Sequence, residues 1–115
     1  SEAILLDDDM MRIKNYIDNN SATISSIYEL AEKFYCSREH LSRSLKKYTG
    51  LTVSDYVNGL RIRFIANMLL NSNYSVADIV FESGFNNISW ASRLFKQTYG
   101  VTMSQYRKGK EKTQT

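Results

Sequence analysis

A fifteen-residue passage of this chain occurs twice, fifty positions apart, and any fold must place both copies. Aligning Ser42–Tyr56 with Ser92–Tyr106 gives seven identities: Ser42/Ser92, Arg43/Arg93, Lys46/Lys96, Gly50/Gly100, Thr52/Thr102, Ser54/Ser104 and Tyr56/Tyr106. Chance would supply about one at ordinary residue frequencies. An internal repeat means that one supersecondary unit is used twice. Apolar positions drift between the copies, Leu45 against Phe95 and Leu51 against Val101, while the polar and cationic ones are kept. Two copies of one polar pattern suggest that each faces the same kind of partner.

Apolar residues recur at spacings of three and four rather than two, so the chain reads as helical throughout. A first helix is expected from about Asp7 to Asn19. Met10, Ile13, Tyr16 and Ile17 form its stripe, and Asp7, Asp8 and Asp9 place negative charge at its N-terminus. The turn-forming stretch 19–23 breaks it. A short helix follows from about Ser26, with Ile27, Leu30, Ala31 and Phe34 inward. Ser37 caps a helix over 37–48, with Leu41, Leu45 and Tyr48 on its inner side, and Gly50 ends it. Thr52 caps a long helix to about Asn71. Its apolar residues Val53, Tyr56, Val57, Leu60, Phe64, Ile65, Met68 and Leu69 surround the axis, so it is expected to be largely buried. Three further helices are expected over Ser75–Ser83, Asn87–Tyr99 and Thr102 to about Lys108. The fold class is therefore all-α, with about seven helices. Two helix-turn-helix subdomains, 7–50 and 74–108, flank a linker helix over 52–71, and 109–115 form a frayed tail.

Charge is unevenly distributed. Residues 1–34 hold seven acidic and three basic side chains, a balance of −4, and residues 35–115 hold twelve basic and five acidic, a balance of +7. A basic segment this compact is a candidate footprint for a polyanion. No run of eighteen apolar residues offers a membrane span. Cys36 is the single cysteine, so no internal disulfide can form, which fits a reducing cytoplasm. No charged-then-apolar leader opens the chain, so secretion is not expected, and a start at Ser1 rather than Met leads us to expect a chain that is processed or cut from a longer protein.

The helix-turn-helix reading has internal logic. Ala31 is small where the second helix crosses the first, Gly84 tolerates positive φ in the turn, and Phe85 plugs the gap, with Cys36 as its smaller counterpart. Val80 and Tyr35 depart from this pattern in the opposite copies. On the outer face of the second helix, Glu39, Ser42, Arg43 and Lys46 lie at i, i+3, i+4 and i+7, matched by Ser89, Ser92, Arg93 and Lys96. Such a face suits the major groove: arginine bonds guanine bidentately, serine donates or accepts, and lysine reaches phosphate. Arg43 and Arg93 are expected to read bases, Ser42, Ser89 and Ser92 to assist, and Lys46, Lys47 and Lys96 to hold phosphates. Arg38, Asn87 and Trp90 complete the candidate set, Trp90 either bracing its helix or touching sugar or base. A carboxylate at Glu39 would select cytosine or repel phosphate. On one helix alone, solvent exposure explains such a face equally well; repetition favours a ligand. A connector of about twenty residues would be about 30 Å long, close to the roughly 34 Å repeat of the duplex.

Other chemistries find little support. His40 has no second ligand at metal spacing, the five glycines form no phosphate-binding loop, and no nucleophile, base and orienter come together. No enzyme, metal site or cofactor is expected. The competing reading is a helical protein-interaction module that binds an acidic partner.

With these repeated motifs the chain resembles the DNA-binding domain of the AraC/XylS family of bacterial transcription regulators. The passage GFNNISWASRLFKQTYGVTMSQYR at 84–107 resembles the family's second-motif signature, and LSRSLKKYTGLTVSDYVNGLRIRFIANMLL at 41–70 resembles the first motif and linker. Val53 and Met103 stand where the family commonly has proline, and Glu39 where some relatives place a base-contacting aromatic or polar residue. The resemblance implies seven helices, two reading helices on one linker, and binding to double-stranded promoter DNA that usually activates transcription. It also implies a sensor or dimerisation domain ahead of this chain. RNA polymerase is a candidate partner, with Asp78 and Glu82 as candidate contacts.

Overall fold

The structure, a computed structural model, describes residues 7–113, with side chains described from Asp9 to Gly109. Helix α1 spans Asp7–Asn20. Of the three aspartates expected at its head, Asp9 lies 3.6 Å from Arg12; the side chains of Asp7 and Asp8 fall outside those described. Short polar side chains open the helices that follow. Ser26 accepts the Glu29 amide and starts α2 (Ile27–Lys33), and Ser37 accepts the His40 amide and starts α3 (Arg38–Thr49). Thr52 accepts the Asp55 amide at the head of α4 (Val53–Asn71). Ser75 opens α5 (Val76–Ser83), Asn87 opens α6 (Ile88–Tyr99) and Thr102 opens α7 (Met103–Thr113). Each cap satisfies an amide that the first helical turn leaves without a partner, worth about 0.5–2 kcal/mol. Seven helices and no strand make up the described residues, an all-α fold. The last helix runs to Thr113, past the expected end at Lys108.

The chain divides between Leu60 and Arg61, inside α4, into two compact units. The core of the first holds Met10, Ile13 and Ile17 of α1, Leu30 of α2, Leu41 and Leu45 of α3, and Val53 and Val57 of α4. The core of the second holds Ile62, Ile65, Ala66 and Leu69 of α4 with Ile79, Val80, Phe85, Ala91, Phe95 and Met103. The inward stripe of α4 is thus 53, 57 and 60 in the first unit and restarts as 62, 65, 66 and 69 in the second. This restart explains why α4 looks apolar all round in sequence. It also corrects one expectation: Phe64 continues the first stripe past the unit that stripe serves, and is exposed. Tyr48, expected inward on α3, is exposed as well.

The repeated tyrosine does different work in each unit. In the first, the Tyr56 hydroxyl donates to Asp18 Oδ1 at 2.5 Å, and Lys14 reaches Asp18 Oδ2 at 2.9 Å. In the second, Tyr106 packs with Phe95 and Tyr99, ring centroids 5.4 and 5.1 Å away. Arg107 adds a cap that the first unit has no arginine to match, since Val57 stands at its counterpart position. Its Nε donates to the Leu69 carbonyl at 3.1 Å, and its terminal nitrogen donates to the Ser72 carbonyl at 3.2 Å. Positive charge there complements the C-terminal end of α4.

Candidate nucleic-acid interface

In the first unit, α3 is fixed from beneath by Leu41 and Leu45, which are fully buried. The candidate face points away from that core. Arg43, Lys46 and Lys47 are exposed and Ser42 is half-buried. Lys46 and Lys47 fall in the last turn, where a cation offsets the helix dipole. The Glu39 carboxyl is held below its ordinary value, first by its own backbone N–H at the helix start, then by Arg38, with Arg43 a smaller contributor. The Arg38 guanidinium lies 3.2 Å from Glu39. It also donates to the Tyr28 hydroxyl and sits 4.5 Å from the centroid of that ring. Glu39 is therefore a paired carboxylate rather than a bare one, so its repulsion of phosphate is reduced. Tyr28 was missed in the sequence. It stands ten residues before Arg38 on the other helix of the motif, where no local spacing links the two.

In the second unit, Ala91 and Phe95 are fully buried under α6, and Ser89, Ser92, Arg93 and Lys96 are all exposed. The four residues thus lie on the side of α6 away from its core, as their counterparts do on α3. Asn87 does structural work: its Oδ1 accepts the Trp90 amide at 3.0 Å and caps α6. Trp90 is 42% exposed, and the Arg93 guanidinium lies 5.7 Å from its ring centroid. A cation over an indole face is held by the ring's quadrupole, so Trp90 orients the arginine. Beside this helix, Ser92, Arg93, Lys96 and Gln97 line one side of a cleft of about 630 Å³, and Thr102 and Ser104 at the head of α7 line another. The repeat puts the same Thr–x–Ser, Thr52 and Ser54, at the head of α4.

Cys36 is half-buried, and burial pushes its thiol above the ordinary value, which disfavours a nucleophilic thiolate. Among the described residues, no group of three or more His, Cys, Asp and Glu side chains is placed to hold a metal ion. None of the described helices is long and apolar enough to cross a membrane.

The helix-turn-helix domain family matches residues 30–109. The regulatory protein PocR of Salmonella typhimurium is 32% identical over 101 residues, covering 88% of this chain and 33% of PocR. The transcriptional activator RhaS of Escherichia fergusonii is 32% identical over 96 residues, 84% of this chain and 34% of RhaS. The chain therefore spans about a third of the length of these relatives. Among solved structures, the DNA-binding domain of the global transcriptional factor AdpA, in complex with a target DNA, shares the fold. Its TM-score is 0.82 at 20% identity, over 87% of this chain and 90% of that one. Two capped helix-turn-helix units, the repeated outer face and the match over most of its length together place this chain in the AraC-type helix-turn-helix family.

Proposed function

We propose that this chain binds double-stranded DNA sequence-specifically, with α3 and α6 as the reading helices of adjacent major-groove segments, on behalf of a bacterial transcription regulator. The observation that carries the reading is the repeated face: Ser42, Arg43 and Lys46 on one helix, and Ser92, Arg93 and Lys96 on another, each pointing away from its own core. Membership of a helix-turn-helix family supports it, as does the likeness in fold to a domain solved with its target DNA. Arg43 and Arg93 read base edges in this scheme, Ser42, Ser89 and Ser92 assist, and Lys46, Lys47 and Lys96 neutralise phosphates. Arg38 and Glu39 act as a pair beside this face, and Asn87 and Trp90 support α6.

The regulator acts as an activator in this reading, as the relative RhaS is named, with a further domain ahead of this chain and a place of action in the cytoplasm. RNA polymerase is a compatible partner. Asp78 and Glu82 are exposed on α5 beside a cleft of about 460 Å³ with Phe64, Met68 and Tyr74 on its walls.

The test is duplex binding as a function of salt. Three lysine contacts predict that log K falls with log salt at a slope of about −3 or steeper, since each neutralised phosphate contributes about 0.9. A duplex selected from a random pool should bind far more tightly than the pool itself. Binding that ignores salt, or that treats selected and random duplexes alike, refutes the reading and favours an interaction module.

A further inference from the structure

The two reading helices agree at their centres and differ at their first turns. Helix α3 opens with Arg38, Glu39 and His40, and α6 opens with Ile88, Ser89 and Trp90. The first turn of α3 is ionic, Arg38 pairing with Glu39 and lying over Tyr28. Tyr28 has no ring to match it in the second unit, where Ala77 stands in its place. The first turn of α6 holds no acid, and Ile88 is 48% exposed there, immediately before Ser89 of the reading face. The Asn87 cap fixes this turn.

We infer that Ile88 is an apolar specificity residue that recognises the 5-methyl group of a thymine, so that the two half-sites differ in chemistry. The inference rests on the proposal that α6 enters a major groove. Thymine's methyl is the one apolar group displayed there. Isoleucine is β-branched and stiff at χ1, so holding it against that methyl costs little rotamer freedom. Arg38, the residue at the matching position of α3, is a cation occupied by a carboxylate and a tyrosine, and offers no such surface. The half-site under α6 therefore carries a thymine whose methyl is felt, and the half-site under α3 does not depend on one at the matching step.

The experiment uses the whole chain and a duplex selected from a random pool. Each thymine is replaced singly by deoxyuridine, which removes only the methyl, and affinity is read by fluorescence anisotropy. The half-site under α6 is identified as the one whose preference changes in Arg93→Ala. One thymine there should lose about fourfold on replacement, the worth of one buried methyl-sized group. Ile88→Ala should bind the thymine and uracil duplexes alike with an unchanged salt slope, and Ile88→Val should restore most of the difference. Because Ile88 is exposed, these variants should fold; a circular dichroism melt checks that. Selection of a half-site lacking thymine, or a uracil penalty that survives in Ile88→Ala, overturns the inference while leaving duplex binding intact. Failure of every duplex to bind overturns the proposed function itself, and this inference with it.

Discussion

Tyr35 and Gly84 hold the same place in the two turns, and both backbones are left-handed, with φ of 54° and 102°. Their amides also make matching bonds, Tyr35 to the Glu32 carbonyl at 3.3 Å and Gly84 to the Phe81 carbonyl at 3.2 Å. One motif therefore imposes one backbone shape on two very different residues.

Tyr35→Gly should stabilise the protein. A residue with a Cβ in this conformation costs about 1–2 kcal/mol, partly offset by the greater freedom of glycine in the unfolded chain, about 0.5–1 kcal/mol. Tyr35 is 97% exposed, so little packing is lost. The expected net gain is about 0.5–1 kcal/mol, read as a higher urea midpoint. An unchanged or lower midpoint would show that the turn is not strained.

Tyr56→Phe should destabilise the first unit and flatten its response to alkali. Losing a hydroxyl bond to a carboxylate costs about 1.5–3 kcal/mol. Burial first, and then Asp18, raise the Tyr56 phenol above its ordinary value of 10.0. Hydrogen bonding to Asp18 leads the causes that raise Lys14 above 10.5. A raised folded value means that stability is fully present below the unfolded value and is lost as pH rises through the folded one. Stability should therefore fall above about pH 10, and fall less steeply in the phenylalanine variant. Parallel curves for the two proteins would contradict this assignment.

Arg107→Ala should uncap the end of α4. Two charge-assisted bonds to carbonyls are lost, at a cost of about 1.5–3 kcal/mol. Arg107 faces the backbone of α4 rather than the reading face, so the salt slope of DNA binding should not move. A variant as stable as the parent but weaker on every duplex would make Arg107 a phosphate contact instead.

Arg93→Ala and Lys96→Ala should fail in different ways. The first should lose about 1–3 kcal/mol on the selected site and relax preference at one base pair. The second should weaken all duplexes equally and flatten the salt slope by about one unit. Indistinguishable sequence profiles for the two variants would remove the division between base reading and phosphate holding.

What the sequence made legible was local. Ser26, Ser37, Ser75, Asn87 and the two threonines announce helix starts because a cap and its amide lie within three residues. The outer faces of α3 and α6 were legible because helical spacing sorts Leu41 and Leu45, or Ala91 and Phe95, away from them. Contacts between distant positions left no such trace. Tyr56 meets Asp18 across 38 positions, Arg107 meets Leu69 across 38, and Arg38 meets Tyr28 on a neighbouring helix. Phe64 was misplaced for a related reason: periodicity finds an apolar stripe and says nothing of where its core stops.

Whole helices are not interchangeable parts between the two units. Transplanting α6 onto the first unit would bring Phe95 and Tyr99 where Leu45 and Thr49 now sit, in a unit whose core already packs against Tyr56, a tyrosine tied to Asp18. Crowding of that kind costs about 1–3 kcal/mol. Anyone retargeting this scaffold should exchange the outward residues and leave each unit its own inner lining.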